Sequence, residues 1–154
     1  MPGSKSNLVE ERISLARKGL NPTVITEMRS GWVVLGDNQI IPGYCLLLAD
    51  PVAKGINELT IEGRKQFLTD MTIVGDALMS ILNVKTINYS LLGNSNNSLH
   101  AHLHPRYDWE KEEYRESPPW KYNFLKVPPL EFEIRRDGSL MQRLKDEIDR
   151  LTEL

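Results

Sequence analysis

Between Ser98 and His104 the chain alternates, with Leu99, Ala101 and Leu103 at odd positions and His100, His102 and His104 at even ones. A β-strand sends successive side chains to opposite faces with period two. The run therefore predicts a strand with aliphatic side chains turned to a core and imidazoles along its other face. These are the three histidines of the whole chain, and Arg106 follows closely. Imidazole serves near neutral pH as nucleophile, proton donor or metal ligand, and a guanidinium adds donors suited to phosphate. The plainer reading of the same pattern is a solvated strand face.

The surrounding sequence predicts a sheet for this strand to join. Asn7 with Glu10 starts a helix over about 8–18, which Gly19 and Asn21-Pro22 end. Thr23 to Met28, Trp32 to Leu35 and Gly43 to Leu48 read as strands separated by short turns, so they pair antiparallel. Thr60 is the expected N-cap of a long helix reaching Leu82. Its Phe67, Met71, Val74, Leu78 and Ile81 form an apolar stripe that belongs in a core. Lys85 to Leu92 and Leu99 to His104 add two strands around the polar loop Gly93-Asn94-Ser95-Asn96-Asn97.

From Asp108 to Pro129 charge, proline and aromatics predict irregular structure with a helical turn near 110–115. This stretch is either a solvated acidic face or an aromatic lid built from Trp109, Tyr114, Trp120 and Tyr122. Ser139 with Gln142 is the expected capping box of a last helix with Leu140, Leu144, Ile148 and Leu151 as its seam. The fold class expected is α+β, a central antiparallel sheet of about five strands with a long helix and a C-terminal helix. Its parts are an N-terminal helix and lead-in over 1–22, the main domain over 23–107, and an extension over 108–154 packed on the same domain or on a partner.

At 154 residues the chain suits a single core. No apolar run approaches the roughly 20 residues that span a bilayer, and no apolar leader precedes the first helix, so no membrane association and a cytoplasmic location are expected. A net charge of -2 argues against gripping a nucleic-acid polymer, while a small phosphorylated ligand remains allowed. Cys45, alone of its type and set among apolar residues, reads as a small core residue.

The stretch from Gly93 to Arg106 resembles the signature of the histidine-triad (HIT) family, His-x-His-x-His followed by apolar residues and often Pro-Arg. Ile41-Pro42-Gly43-Tyr44 resembles that family's Pro-Gly-His strand. Two registers are possible. Matching the histidines directly makes His102 the central one but leaves Pro105-Arg106 two residues early. Matching Gly93-Asn94 and Pro105-Arg106 makes Ser98 the first triad position, His100 the second and His102 the third, with both flanks satisfied and no gap. His104 then falls on an apolar family position and takes no part.

In that second register the resemblance implies a HIT-like fold, a homodimer and a nucleotide hydrolase or nucleotidyl transferase of the diadenosine polyphosphate hydrolase-like branch. His100 is implied as the nucleophile on the α-phosphorus, and His102 as a donor to a nonbridging oxygen. Ser98 and Asn94 complete the catalytic set, and no metal or cofactor is implied. Asn88, Ser95 and Arg106 match phosphate or leaving-group contacts. Trp32, Asp37 and Asn38 are expected near the base and ribose, although Gly36 occupies the ribose-binding position unless one residue is shifted.

Plainer readings stand beside these. Asn88 could satisfy a sheet edge, Asn94 and Ser95 could be turn residues, and Arg106 could pair with Asp108 or Glu110. Ser98 and Tyr44 depart from the pattern, since histidine is common at both places, and a serine is a poor general acid. This favours leaving groups that are already weak bases. The rival readings are a nucleotide-binding module without turnover and a metal-dependent hydrolase holding zinc on His100, His102 and His104.

Overall fold

The structure, a computed structural model, describes residues 7–124 and 127–153. Asn7 opens the first helix, α1 (Leu8–Arg17), by accepting the Glu10 N–H. Strands β1 (Val24–Met28), β2 (Gly31–Leu35) and β3 (Cys45–Ala49) follow as an antiparallel meander. The tight β1–β2 turn is held by Asp70, whose carboxylate accepts from both the backbone and the hydroxyl of Ser30. Thr60 caps α2 (Ile61–Ile81) through the Gly63 N–H, and β4 (Thr86–Ser90) and β5 (His100–Arg106) follow. The five strands lie in the order β1-β2-β3-β5-β4, so the histidine strand is an interior one, paired on both sides.

One face of this sheet carries the main core. Cys45, Leu47, Ala101 and Leu103 point into it and are fully buried, under Phe67, Val74 and Leu78 of α2. Burial also pushes the Cys45 thiol up, and its Sγ–H donates to the Gly43 carbonyl, as suits an inert core residue.

After β5 come one helical turn, α3 (Glu112–Arg115), and a 3₁₀ segment over Pro119–Phe124. The last helix, α4 (Ile134–Thr152), sends Met141, Leu144 and Ile148 into the same core, with Leu140 and Leu151 packed at its margin. It begins five residues before the expected Ser139. Glu133 is its cap, accepting from the N–H groups of Arg135 and Arg136, while its own N–H donates to Asp137. Ser139 and Gln142 therefore lie inside the helix. Two carboxylates at the earlier position satisfy the free N–H groups first. No helix among the described residues is long and apolar enough to cross a membrane.

Candidate functional site

The pleat that buries Ala101 and Leu103 turns His100, His102 and His104 to the opposite face of β5. Leu48 and Leu46 stand beside His100 and His102 on β3, and Ser90 and Asn88 stand beside His102 and His104 on β4. Helix α1 shares this face. Its Val9 and Ile13 cover Val34 and Leu48, which brings the start of the helix over Ser98. The Ser98 hydroxyl donates to Glu10 (3.0 Å) and accepts from the Asn7 amide (2.6 Å).

Hydrogen bonds assign the two central imidazoles different tautomers. His100 Nδ1 lies 2.6 Å from the Ser98 carbonyl. A carbonyl only accepts, so Nδ1 carries a proton and, in the neutral tautomer, Nε2 keeps the free lone pair. His102 Nδ1 lies 2.6 Å from the Tyr44 hydroxyl. Burial raises the Tyr44 pKa, and no other acceptor for its proton occurs among the described residues, so the phenol donates to Nδ1 and His102 carries its proton on Nε2. Burial, and secondarily the charge of His100, lower the His102 pKa to about 4. Burial, with His102 and Arg106 behind it, lowers that of His104 to about 3. Both rings are neutral at pH 7.

His104, which the resemblance leaves without a role, stacks flat on Tyr44 with ring centroids 4.0 Å apart. Its Nδ1 is buried without a hydrogen-bond partner among the described residues. The Tyr44 ring occupies the space where a Cβ on Gly36 would sit. The absence of a side chain at Gly36 thus makes room for the tyrosine. Beside these rings lies a cleft of about 250 Å³, closed by Leu92, Trp120 and Tyr122.

The segment that closes the cleft is tied down by Arg106. Its Nε donates to Glu110, one terminal nitrogen to Asn88 and the Ser117 carbonyl, the other to Glu110 and the Tyr114 carbonyl. All five N–H donors of a guanidinium are thereby engaged. The pair is buried, with side-chain exposures of 5% and 0%. Burial works against the Glu110 charge, but the donors Arg106, the Tyr107 N–H and Tyr122 outweigh it and hold the carboxyl below its usual range. Tyr122 in turn stacks on Tyr114 at 4.3 Å. Of the four aromatics considered for a lid, Trp120 and Tyr122 line the cleft and Tyr114 supports them. Trp109 stacks on Tyr107 instead and is 63% exposed.

The structure places His100 and His102 on β5 with Ser98 in the bend just before it, and sets Asn38 at the cleft. Asn38 accepts there from the N–H groups of Ile40 and Leu130. Asn88 and Arg106 join each other, leaving Arg106 no free donor for a ligand. Asn94 and Ser95 are exposed in the loop before β5 and do not line the cleft. Asp37 pairs with Arg12 in a separate surface hollow. Trp32 packs beneath α1 and donates its indole N–H to Asp50. The expected cluster of Trp32, Asp37 and Asn38 is therefore not assembled, because α1 and its arginines occupy that ground.

Sequence reasoning missed the contacts of Asn7 and Glu10 with Ser98, which join residues about ninety positions apart. It also missed Tyr44 as a partner of His102, although a tyrosine on the flanking strand of a histidine row was the available signal. No group of three metal-ligating side chains arranged for one ion occurs among the described residues.

No family model matches the chain, and no curated protein does. Solved structures do. A histidine triad protein from Marinobacter aquaeolei is 22% identical, with 83% of this chain and 89% of that one covered at a TM-score of 0.71. A hypothetical histidine triad nucleotide-binding protein from Sulfolobus tokodaii is 14% identical, covering 92% and 93% at 0.70. The diadenosine triphosphate hydrolase of Plasmodium falciparum is 15% identical, covering 84% and 78% at 0.58. With its five-stranded antiparallel sheet, long α2 and histidine-bearing interior strand, the chain has the fold of the histidine-triad proteins.

Proposed function

We propose that this protein is a HIT-type nucleotide hydrolase or nucleotidyl transferase acting on a dinucleoside polyphosphate through a nucleotidyl-histidine intermediate on His100. The observation that carries it is the 2.6 Å contact of His100 Nδ1 with the Ser98 carbonyl, which in the neutral ring places the proton on Nδ1 and the nucleophilic lone pair on Nε2. The Nε2 lone pair forms a bond to the α-phosphorus, and the bond from phosphorus to the bridging oxygen breaks, its electrons leaving with the polyphosphate. Water then attacks the phosphorus and loses a proton to solvent, and the P–N pair returns to Nε2. The His102 Nε2–H, oriented by Tyr44, donates to a nonbridging oxygen as charge develops there.

Asn94 and Ser95 contact the phosphate chain from the loop, and the free amide of Asn88 lies alongside. Asn38 takes the ribose, while Asp37 and Trp32 stay with their partners Arg12 and Asp50. The Ser98 hydroxyl already donates to Glu10, which supports a preference for weakly basic leaving groups over an amine that must be protonated. Comparable turnover of a nucleoside phosphoramidate would remove that preference. The protein works in the cytoplasm as a homodimer in this reading.

The test is mononucleotide release from diadenosine tetraphosphate with a chelator present. His100→Ala is expected to lower turnover about a thousandfold or more and His102→Ala about a hundredfold, with no effect of the chelator. Unchanged turnover in His100→Ala overturns the register. The sequestered Ser98 also favours a second reading, nucleotide binding without turnover, which native protein that binds the compound but releases no product would establish.

A further inference from the structure

We infer that the aromatic cleft beside His102 is a subsite for a second planar base, the one carried by the leaving half of a dinucleoside polyphosphate, with Trp120 as its stacking wall. The inference rests on the nucleotidyl-transfer reading of His100. At about 250 Å³ the cleft falls below the roughly 300–1,000 Å³ that drug-sized ligands occupy, so it suits one ring system rather than a whole nucleotide. Aromatic rings line it among aliphatic side chains: Trp120 and Tyr122 come from the segment after β5, and Tyr44 and His104 are stacked on each other within 8° of parallel. Every base has a face that such walls accept.

Charge and connectivity point the same way. Among the described residues no acidic or basic side chain other than the two histidines lines the cleft, and both histidines are neutral at pH 7, so it favours an uncharged ring over further phosphate. The Ser90 hydroxyl is a polar group on the lining that would orient that ring. His102 lines the cleft and flanks His100, whereas His100 does not line it. A ring held there is joined to the reacting phosphorus through the phosphate chain that passes His102. Trp120 is 43% exposed and stands on a segment anchored independently by Arg106, so its side chain is removable without loss of the fold.

The test compares diadenosine tetraphosphate with adenosine tetraphosphate, which offers the same transferred half and a leaving group without a base. Native protein is expected to favour the first by about tenfold in kcat/KM, the ratio falling to about one in Trp120→Ala and returning in Trp120→Phe. A native ratio near one overturns the subsite. So does a ratio that survives Trp120→Ala, including the case where both substrates fall together, which would put the transferred base in the cleft. If neither compound is turned over, the nucleotidyl reading fails, and calorimetric Kd values for the same two compounds decide the subsite. Tighter dinucleotide binding that is lost in Trp120→Ala upholds it, and equal binding overturns it.

Discussion

On one face of β5, Ala101 and Leu103 are sealed under α2 by side chains that present no polar group. On the other, each even-numbered residue is held by a particular partner: His100 by the Ser98 carbonyl, His102 by Tyr44, His104 by stacking on Tyr44, Arg106 by Glu110. The first face tolerates any aliphatic filling of the right volume, and its loss is a matter of cavity. The second depends on directional bonds, several made to segments far away in sequence, and its loss is a matter of unpaired polar groups.

The largest effect should come from the anchor of the second face. Arg106→Ala leaves the Glu110 carboxylate buried and unpaired and frees the strap that carries Trp120, for an expected loss of about 3–5 kcal/mol in urea unfolding. Leu103→Ala opens a cavity on the first face and should cost about 2–5 kcal/mol. The two differ in what else they move. Arg106→Ala should also abolish the selectivity between the two nucleotide substrates, and Leu103→Ala should preserve it in the protein that remains folded. Equal effects on selectivity would erase the distinction between the faces.

The imidazoles sharpen the comparison through pH. His102 and His104 have folded pKa values near 4 and 3, below the unfolded value of about 6.5. Between those limits the unfolded chain binds more protons than the folded one, so stability is full above about pH 6.5 and falls as the pH drops toward 3. His104→Leu removes one of these groups and should flatten the fall in urea midpoint between pH 7 and pH 5. A slope identical to that of the native protein would mean that His104 is not held neutral in the fold.

Tyr44→Phe should keep the stack on His104 while releasing His102 to exchange tautomers. The expected result is a fall of about tenfold in kcat with little change in the urea midpoint. A purely structural tyrosine would give the reverse.

These contrasts explain what was legible from the residues alone. The alternation through β5, the stripe of α2 and the turn chemistry between strands are local patterns, and each element appears within a few residues of its expected place. The face that the histidines occupy was equally local. Of the partners, only Glu110, four residues from Arg106, was open to the same local reasoning; Tyr44, Glu10 and Asn7 reach the site through strand pairing and helix packing, which no short-range pattern encodes. Trp32 and Asp37 failed to gather for the same reason, since the position of α1 decides what lies beside them. The start of α4 was misplaced by a competing local signal, a serine-glutamine spacing that looks like a cap but lies within a helix already begun at Glu133.

Ser98→Ala should have the smallest effect and divides the two interpretations of that residue. The side chain is 3% exposed and makes two hydrogen bonds, both to the start of α1, while its carbonyl, which orients His100, belongs to the backbone and survives the substitution. The expected loss is about 1 kcal/mol of stability. Turnover of the dinucleoside polyphosphate should change by less than about threefold, because a hydroxyl engaged with Glu10 donates nothing to the leaving group. A fall of about a hundredfold would instead identify Ser98 as a donor in the reaction, with Glu10 and Asn7 its positioning residues. The start of α1 would then be part of the active site rather than a cover laid over it.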